Sequence, residues 1–172
     1  WKGSGCARCF ERNRRRFFKA LILFLNTYEI DSIHLNLASD IFKTYDIRGI
    51  YPDQLNEDIA YAIGRTVTSV IAPGITGPRF VVGSDARLSS PQLKRALSKG
   101  LTEGGAQVDD IGYVSTPTFY LVSAKGGYDG GIQVSASHNP KQWNGFKIVA
   151  KGGVPVGAQS GLAALRERIA SD

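Results

Sequence analysis

The chain has 172 residues and a mass of 18.6 kDa; 42% of its residues are hydrophobic and 21% charged. That length suits one domain with a real core, and the composition excludes a disordered chain, a collagen-like repeat and a multi-span membrane protein. The formal net charge of +6 is unevenly placed: residues 1–30 carry seven Lys/Arg against two acids, and residues 31–172 carry fourteen against thirteen, so the basic character belongs to the N-terminal stretch and not to the body.

In chain order, that stretch comes first. It opens on Trp1, and the sequence contains no Met, so the chain is expected to be a fragment or to have lost its start. Arg12 and Arg14–Arg16 precede Phe17, Phe18, Lys19 and the apolar run Ala20–Leu25, which has the order of a signal peptide. Six apolar residues fall short of a secretory core and far short of a membrane span. Cys6 and Cys9 form a Cys-x-x-Cys, but no second pair or nearby His completes a zinc site, and no βαβ unit adjoins it. Residues 1–39 are therefore expected to be a poorly ordered basic extension of a cytoplasmic protein, with no nucleic-acid or membrane partner.

From Asp40 the pattern becomes regular. Leu55–Ala72 places Ile59, Ile63, Val67, Val70 and Ile71 on one helical face, with Asn56 as cap, Glu57 and Asp58 in the first turn, and Pro73-Gly74 as the stop. Arg79–Gly83 reads as a short buried strand. Ser90-Pro91 opens a helix to about Glu103, which Gly104-Gly105 ends. Gln107–Tyr113 is a strand and Thr116-Pro117 opens a helix to about Lys125. Gly131–Ser135 and Gly145–Ala150 are strands joined by the loop Ser137–Asn144, and Gln159–Ala170 is a final helix. Alternating strands and helices predict an α/β fold, a three-layer α/β/α domain with a mixed, mostly parallel sheet. The last two strands, joined without a helix, are expected to pair antiparallel. The domain is placed over residues 40–156, with 157–172 a C-terminal helix leading towards a linker.

Common signatures are absent from this body: no dinucleotide-binding glycine run, no phosphate-binding P-loop, no Gly-x-Ser-x-Gly elbow, and no metal-ligand spacing around either histidine. The segment that carries chemistry is Ser135-Ala136-Ser137-His138-Asn139-Pro140, continuing to Asn144-Gly145-Phe146-Lys147. It follows an apolar strand, and ligands of open α/β sheets bind beyond the carboxyl ends of strands. A serine, an imidazole, an amide and an ammonium gathered there suit phosphate chemistry, in which positioning and charge stabilisation dominate. Composition alone leaves a plain turn as the simpler reading, because Ser, Asn and Pro are ordinary turn residues.

The motifs weigh against that simpler reading. Ser135–Pro140 looks like the active-site serine loop of the α-D-phosphohexomutase superfamily. Phe42-Lys43-Thr44-Tyr45-Asp46-Ile47-Arg48-Gly49 resembles its N-terminal signature, and Val82-Gly83-Ser84-Asp85-Ala86-Arg87 is similar to its Gly-Arg-Asp-x-Arg turn, with Ser84 in place of the usual arginine. The Tyr-Asp-Ile-Arg-Gly form and the Asn-Gly-Phe-Lys continuation look most like the phosphomannomutase/phosphoglucomutase branch. The likeness runs in order from about Ile41 to Ala150.

The resemblance implies that Ser137 is a phosphoserine that passes its phosphoryl group to a hexose monophosphate, moving phosphate between the 1- and 6-positions through a bisphosphate. It implies Ser137, His138, Lys147 and Arg48 as catalytic residues and Tyr45, Arg48, Asn139 and Lys147 as substrate-binding residues. It further implies Mg²⁺ held partly by Ser137 through its phosphate, a hexose 1,6-bisphosphate activator, and a hexose phosphate substrate. Members of the superfamily have four domains, so this chain is expected to be the first of them and nearly inactive without the other three, where the main metal ligands are expected. The residues leave other roles open: Arg48 bracing the Gly49 turn, Tyr45 packing on the core, His138 orienting the loop, and Asp85 with Arg87 forming a structural turn pair. A non-catalytic α/β phosphosugar-binding or interaction module is the alternative function.

Overall fold

A run such as Gly130-Gly131-Ile132-Gln133-Val134 is stable as a strand only where both of its faces are covered. In the computed structural model, which describes residues 41–171, every residue of that run is buried. The expected extension over residues 1–39 lies outside the described residues. The elements are β1 (Ile47–Ile50), α1 (Glu57–Ile71), β2 (Arg79–Ser84), α2 (Ser90–Glu103), β3 (Gln107–Tyr113), α3 (Thr116–Lys125), β4 (Gly130–Val134), β5 (Trp143–Ala150), β6 (Val154–Pro155) and α4 (Leu162–Ala170).

The sheet runs β1-β5-β4-β2-β3, with β6 added to β5. β2 pairs parallel with β3 and with β4; β5 pairs antiparallel with β4, β1 and β6. The sheet is mixed, as expected, and β4 and β5 pair antiparallel. Its parallel part is smaller than the sequence pattern predicts, because β1 and β6 are only four and two residues long and add antiparallel pairings that no periodicity announces.

Alternation along the strands sorts the core into two layers. Phe80 and Val82 of β2 join Ile132, Val134, Phe146 and Ile148 on the face covered by α1, α2 and α4. Val81 of β2 and Val149 of β5 point the other way, onto Phe119 of α3. The result is the three-layer α/β/α sandwich. α4 belongs to the larger layer, with Leu162, Leu165 and Ile169 buried in it. Among the described residues no helix is long and apolar enough to cross a membrane.

Local signals placed the helices with two exceptions. Asn56 caps α1 as expected, its side chain accepting from the Ile59 N–H at 3.0 Å. At α2 the cap position is Ser89 rather than Ser90, and Ser89 makes no side-chain cap bond. Its hydroxyl instead accepts from Asn144 Nδ2 at 2.8 Å, so a long-range partner displaces the local one. The helix expected over Gln159–Ala170 is split into a 3₁₀ turn, Ala158–Ser160, and α4. The break is Gly161, whose φ of 153° suits only glycine and where a Cβ would meet Val156 Cγ1 at 2.8 Å.

Candidate functional site

Three segments meet beyond the carboxyl ends of β4 and β2: the loop after β4, the turn after β2, and the residues just before β1. The loop leaves β4 at Val134 and returns at Trp143. The Ser135 N–H donates to the Gly145 carbonyl at 2.8 Å, which closes its base. Ser137 stands at its tip with φ +56°, the one non-glycine residue with positive φ among those described. That conformation costs an L-residue about 1–2 kcal/mol, so surrounding bonds must hold it. The Ser137 N–H donates to Ser135 Oγ at 3.0 Å, and Asn139 turns inward, its N–H and its Nδ2 both donating to the Ala136 carbonyl at 3.1 and 2.8 Å. The Ser137 hydroxyl is exposed. His138 is also exposed, with Nδ1 3.4 Å from Ser137 Oγ, long for a hydrogen bond.

The turn after β2 reaches into this loop. Asp85 and Arg87 form the expected pair, Nε donating to Oδ2 at 3.1 Å. Arg87 then extends further than the sequence indicated. Its Nη1 donates to the Pro140 and Trp143 carbonyls at 2.8 and 2.9 Å, and its Nη2 to the Ser137 and Asn139 carbonyls at 2.7 and 2.8 Å. Ser84, which replaces the arginine of the resembled turn, is wholly buried in the sheet, and the turn's bonds run through Asp85 and Arg87. Asp85 Oδ1 also accepts from Ser90 Oγ at 2.7 Å. Asn144, buried at the start of β5, donates to Ser89 and Ser90, so the far end of the loop is tied to the N-terminus of α2.

The third segment sets the charge. Asp46 is 1% exposed, yet its Oδ2 accepts from Arg48 Nε at 2.7 Å and from Lys147 Nζ at 2.9 Å. A buried carboxylate must be paired, and the β1–β5 pairing brings both cations to it. A groove of about 380 Å³ opens beside it, lined by Lys43, Tyr45, Asp46, Arg48, Asn139 and Trp143.

Of the residues singled out by sequence, Tyr45, Arg48 and Asn139 therefore share a groove wall, and Ser137 and His138 stand on the same loop as Asn139. Lys147 does not line the groove. Its ammonium pairs with Asp46, the buried carboxylate just ahead of β1. Tyr45 is 76% exposed, so it does not pack on the core. Arg48 bonds Asp46 rather than the turn at Gly49. Sequence reasoning gave no role to Asp46, Trp143 or Asn144, and none to Arg87 beyond its turn. The only signal for Asp46 was an acid lying between Tyr45 and Arg48.

The family model described as phosphoglucomutase/phosphomannomutase, alpha/beta/alpha domain I, matches residues 39–172. A phosphomannomutase/phosphoglucomutase of Pseudomonas aeruginosa is 43% identical over 134 residues, which are 77% of this chain and 28% of that protein. A protein of Xanthomonas campestris pv. campestris named for phosphohexose mutases is 43% identical over 131 residues, 76% of this chain and 28% of its own length. The crystal structure of a phosphoglucomutase/phosphomannomutase family protein from Burkholderia thailandensis matches with a TM-score of 0.66 and 42% identity, over 76% of this chain and 30% of that one. The chain thus spans little more than a quarter of the length of these relatives.

Proposed function

The chain belongs to the phosphoglucomutase/phosphomannomutase family, as its α/β/α domain I, and from that premise we propose that Ser137 is the phosphoryl carrier of a hexose-phosphate mutase. The Oγ–P bond of phosphoserine 137 breaks as an O–P bond forms at a free hydroxyl of a hexose monophosphate; that hydroxyl gives up its proton, and Ser137 Oγ, the leaving group, takes one up to become the free serine hydroxyl. The bisphosphate so formed turns over and returns its other phosphate to Ser137. The net change is movement of phosphate between the 1- and 6-positions.

The observation that carries this reading is the exposed Ser137 hydroxyl, held at φ +56° on a loop bonded to two other elements. Phosphoryl transfer draws most of its catalysis from such positioning and from nearby positive charge. Arg48, on the groove wall, supplies that charge, with Lys147 tied to it through the shared Asp46, which fixes the place of both. In this reading Tyr45 and Asn139 shape the groove for the sugar phosphate, and His138 flanks the reacting oxygen.

The family's chemistry implies Mg²⁺, which would neutralise charge on the transferring group. Among the described residues no three His, Cys, Asp or Glu side chains converge on one point. These residues therefore do not hold the ion by themselves. The remaining domains of a longer enzyme are the proposed partners that would supply its ligands.

Incubation with glucose 1,6-bisphosphate, followed by intact-mass spectrometry, tests the proposal. A gain of about 80 Da, one phosphoryl group, is expected in the native sequence and not in Ser137→Ala. Absence of uptake in both would favour a binding module that uses the groove without chemistry; uptake that persists in Ser137→Ala would place the phosphate elsewhere.

A further inference from the structure

We propose that Arg87 is a positioning residue for transfer at Ser137, acting through the shape of the loop and without touching the sugar phosphate. The inference rests on the phosphoserine reading above. A guanidinium carries five N–H donors in a planar fork. In Arg87 all five are committed: Nε to Asp85 Oδ2, the two of Nη1 to the Pro140 and Trp143 carbonyls, and the two of Nη2 to the Ser137 and Asn139 carbonyls. Four backbone oxygens within residues 137–143 thus converge on one cation.

Two consequences follow from that count. No donor remains for a phosphate or a hydroxyl, so Arg87 is not a substrate ligand. The peptide following Ser137 is also fixed by its carbonyl, which sets the direction of the residue that stands at φ +56°. The cation is itself anchored, because Asp85 accepts from the Arg87 N–H at 3.1 Å and from Ser90 Oγ at 2.7 Å, tying it to the end of β2 and the start of α2. Lysine keeps the charge but has three donors and no fork, so it can satisfy at most three of the five acceptors.

The test compares the 172-residue chain with its Arg87→Lys and Asp85→Asn variants, the second leaving the four loop carbonyls with their donors. Phosphorylation of Ser137 is followed by intact mass over a series of glucose 1,6-bisphosphate concentrations. Arg87→Lys is expected to lower the maximal rate about tenfold or more, with the half-saturating concentration unchanged within about twofold, and Asp85→Asn to fall between it and the native chain. Equal rates in all three would overturn the inference. So would a raised half-saturating concentration at an unchanged maximal rate, which would make Arg87 a ligand. Should the native chain take up no phosphate, the phosphoserine reading fails on its own. Hydrogen exchange then decides the loop claim: faster exchange of the Ser137, Asn139 and Trp143 amides in Arg87→Lys, with the β-strand amides unchanged, supports it, and an unaltered loop overturns it.

Discussion

Asp46 accepts from Arg48 and Lys147 through one oxygen while only 1% of its surface meets solvent. Removing its charge would leave two cations facing each other at 27% and 17% side-chain exposure with no anion between them. Breaking a buried pair by deleting one partner costs about 3–5 kcal/mol, and the partial exposure of both cations lowers that to about 2–3 kcal/mol here. Lys147→Met is expected to cost less than Asp46→Asn, since Arg48 still pairs the carboxylate. Urea denaturation of the two variants measures the asymmetry; equal losses would mean that Arg48 alone does not satisfy Asp46. The residues of this site were legible one by one, as motifs. Their pairing was not, because Asp46 and Lys147 lie a hundred residues apart and meet only when β1 aligns Ile47 with Phe146.

Between elements, α1 and α2 pack backbone close to backbone. A Cβ built on Gly64 would lie 2.2 Å from the Leu97 carbonyl oxygen, and one on Gly100 would lie 2.2 Å from that of Tyr61. Helix propensity favours alanine over glycine at such interior positions by up to about 1 kcal/mol. Here the obstacle is backbone, which cannot swing aside, and overpacking of this kind costs about 1–3 kcal/mol or more. Gly100→Ala is therefore expected to destabilise the domain by about 2 kcal/mol, seen as a lower urea midpoint with an unchanged slope; a stabilised variant would show that the helices slide apart freely. The element signals explain what could be read beforehand. Asn56, Pro91, Pro117 and the glycines after each helix act within a few residues, so α1, α2 and α3 were placed closely. β1 and β6 were missed because strands of four and two residues carry no period, and they exist by virtue of β5 offering them an edge.

For the whole molecule, the groove beside Asp46 is open to solvent along the edge of one domain, and no metal-ligand cluster stands among the described residues. A single phosphoryl transfer into Ser137 needs one encounter, whereas full turnover needs the sugar held through a reorientation. The 172-residue chain by itself is expected to convert mannose 1-phosphate to mannose 6-phosphate at a rate no higher than its Ser137→Ala variant, followed by phosphorus NMR. Sustained turnover would mean that one domain supplies the entire site. At the far end of the strands the charges are of another kind. Arg79 donates to Asp109 at 2.8 Å and holds its carboxyl below the ordinary range, and Tyr128 adds to that shift. These are exposed pairs that lie across the sheet from the serine loop and take no part in the proposed transfer.

Composition, capping residues and three ordered motifs were enough to identify an α/β/α domain, its helices, and the loop on which phosphoryl transfer is proposed. Those features are written in neighbouring residues, and local chemistry acts over a turn or two of chain. The carbonyl cage around Arg87, the pairing of Lys147 with Asp46 and the diversion of Ser89 from capping to Asn144 all join segments fifty or more residues apart. Each depends on which polar groups folding forces out of water together, and burial of that kind exists only once the sheet has closed on its helices.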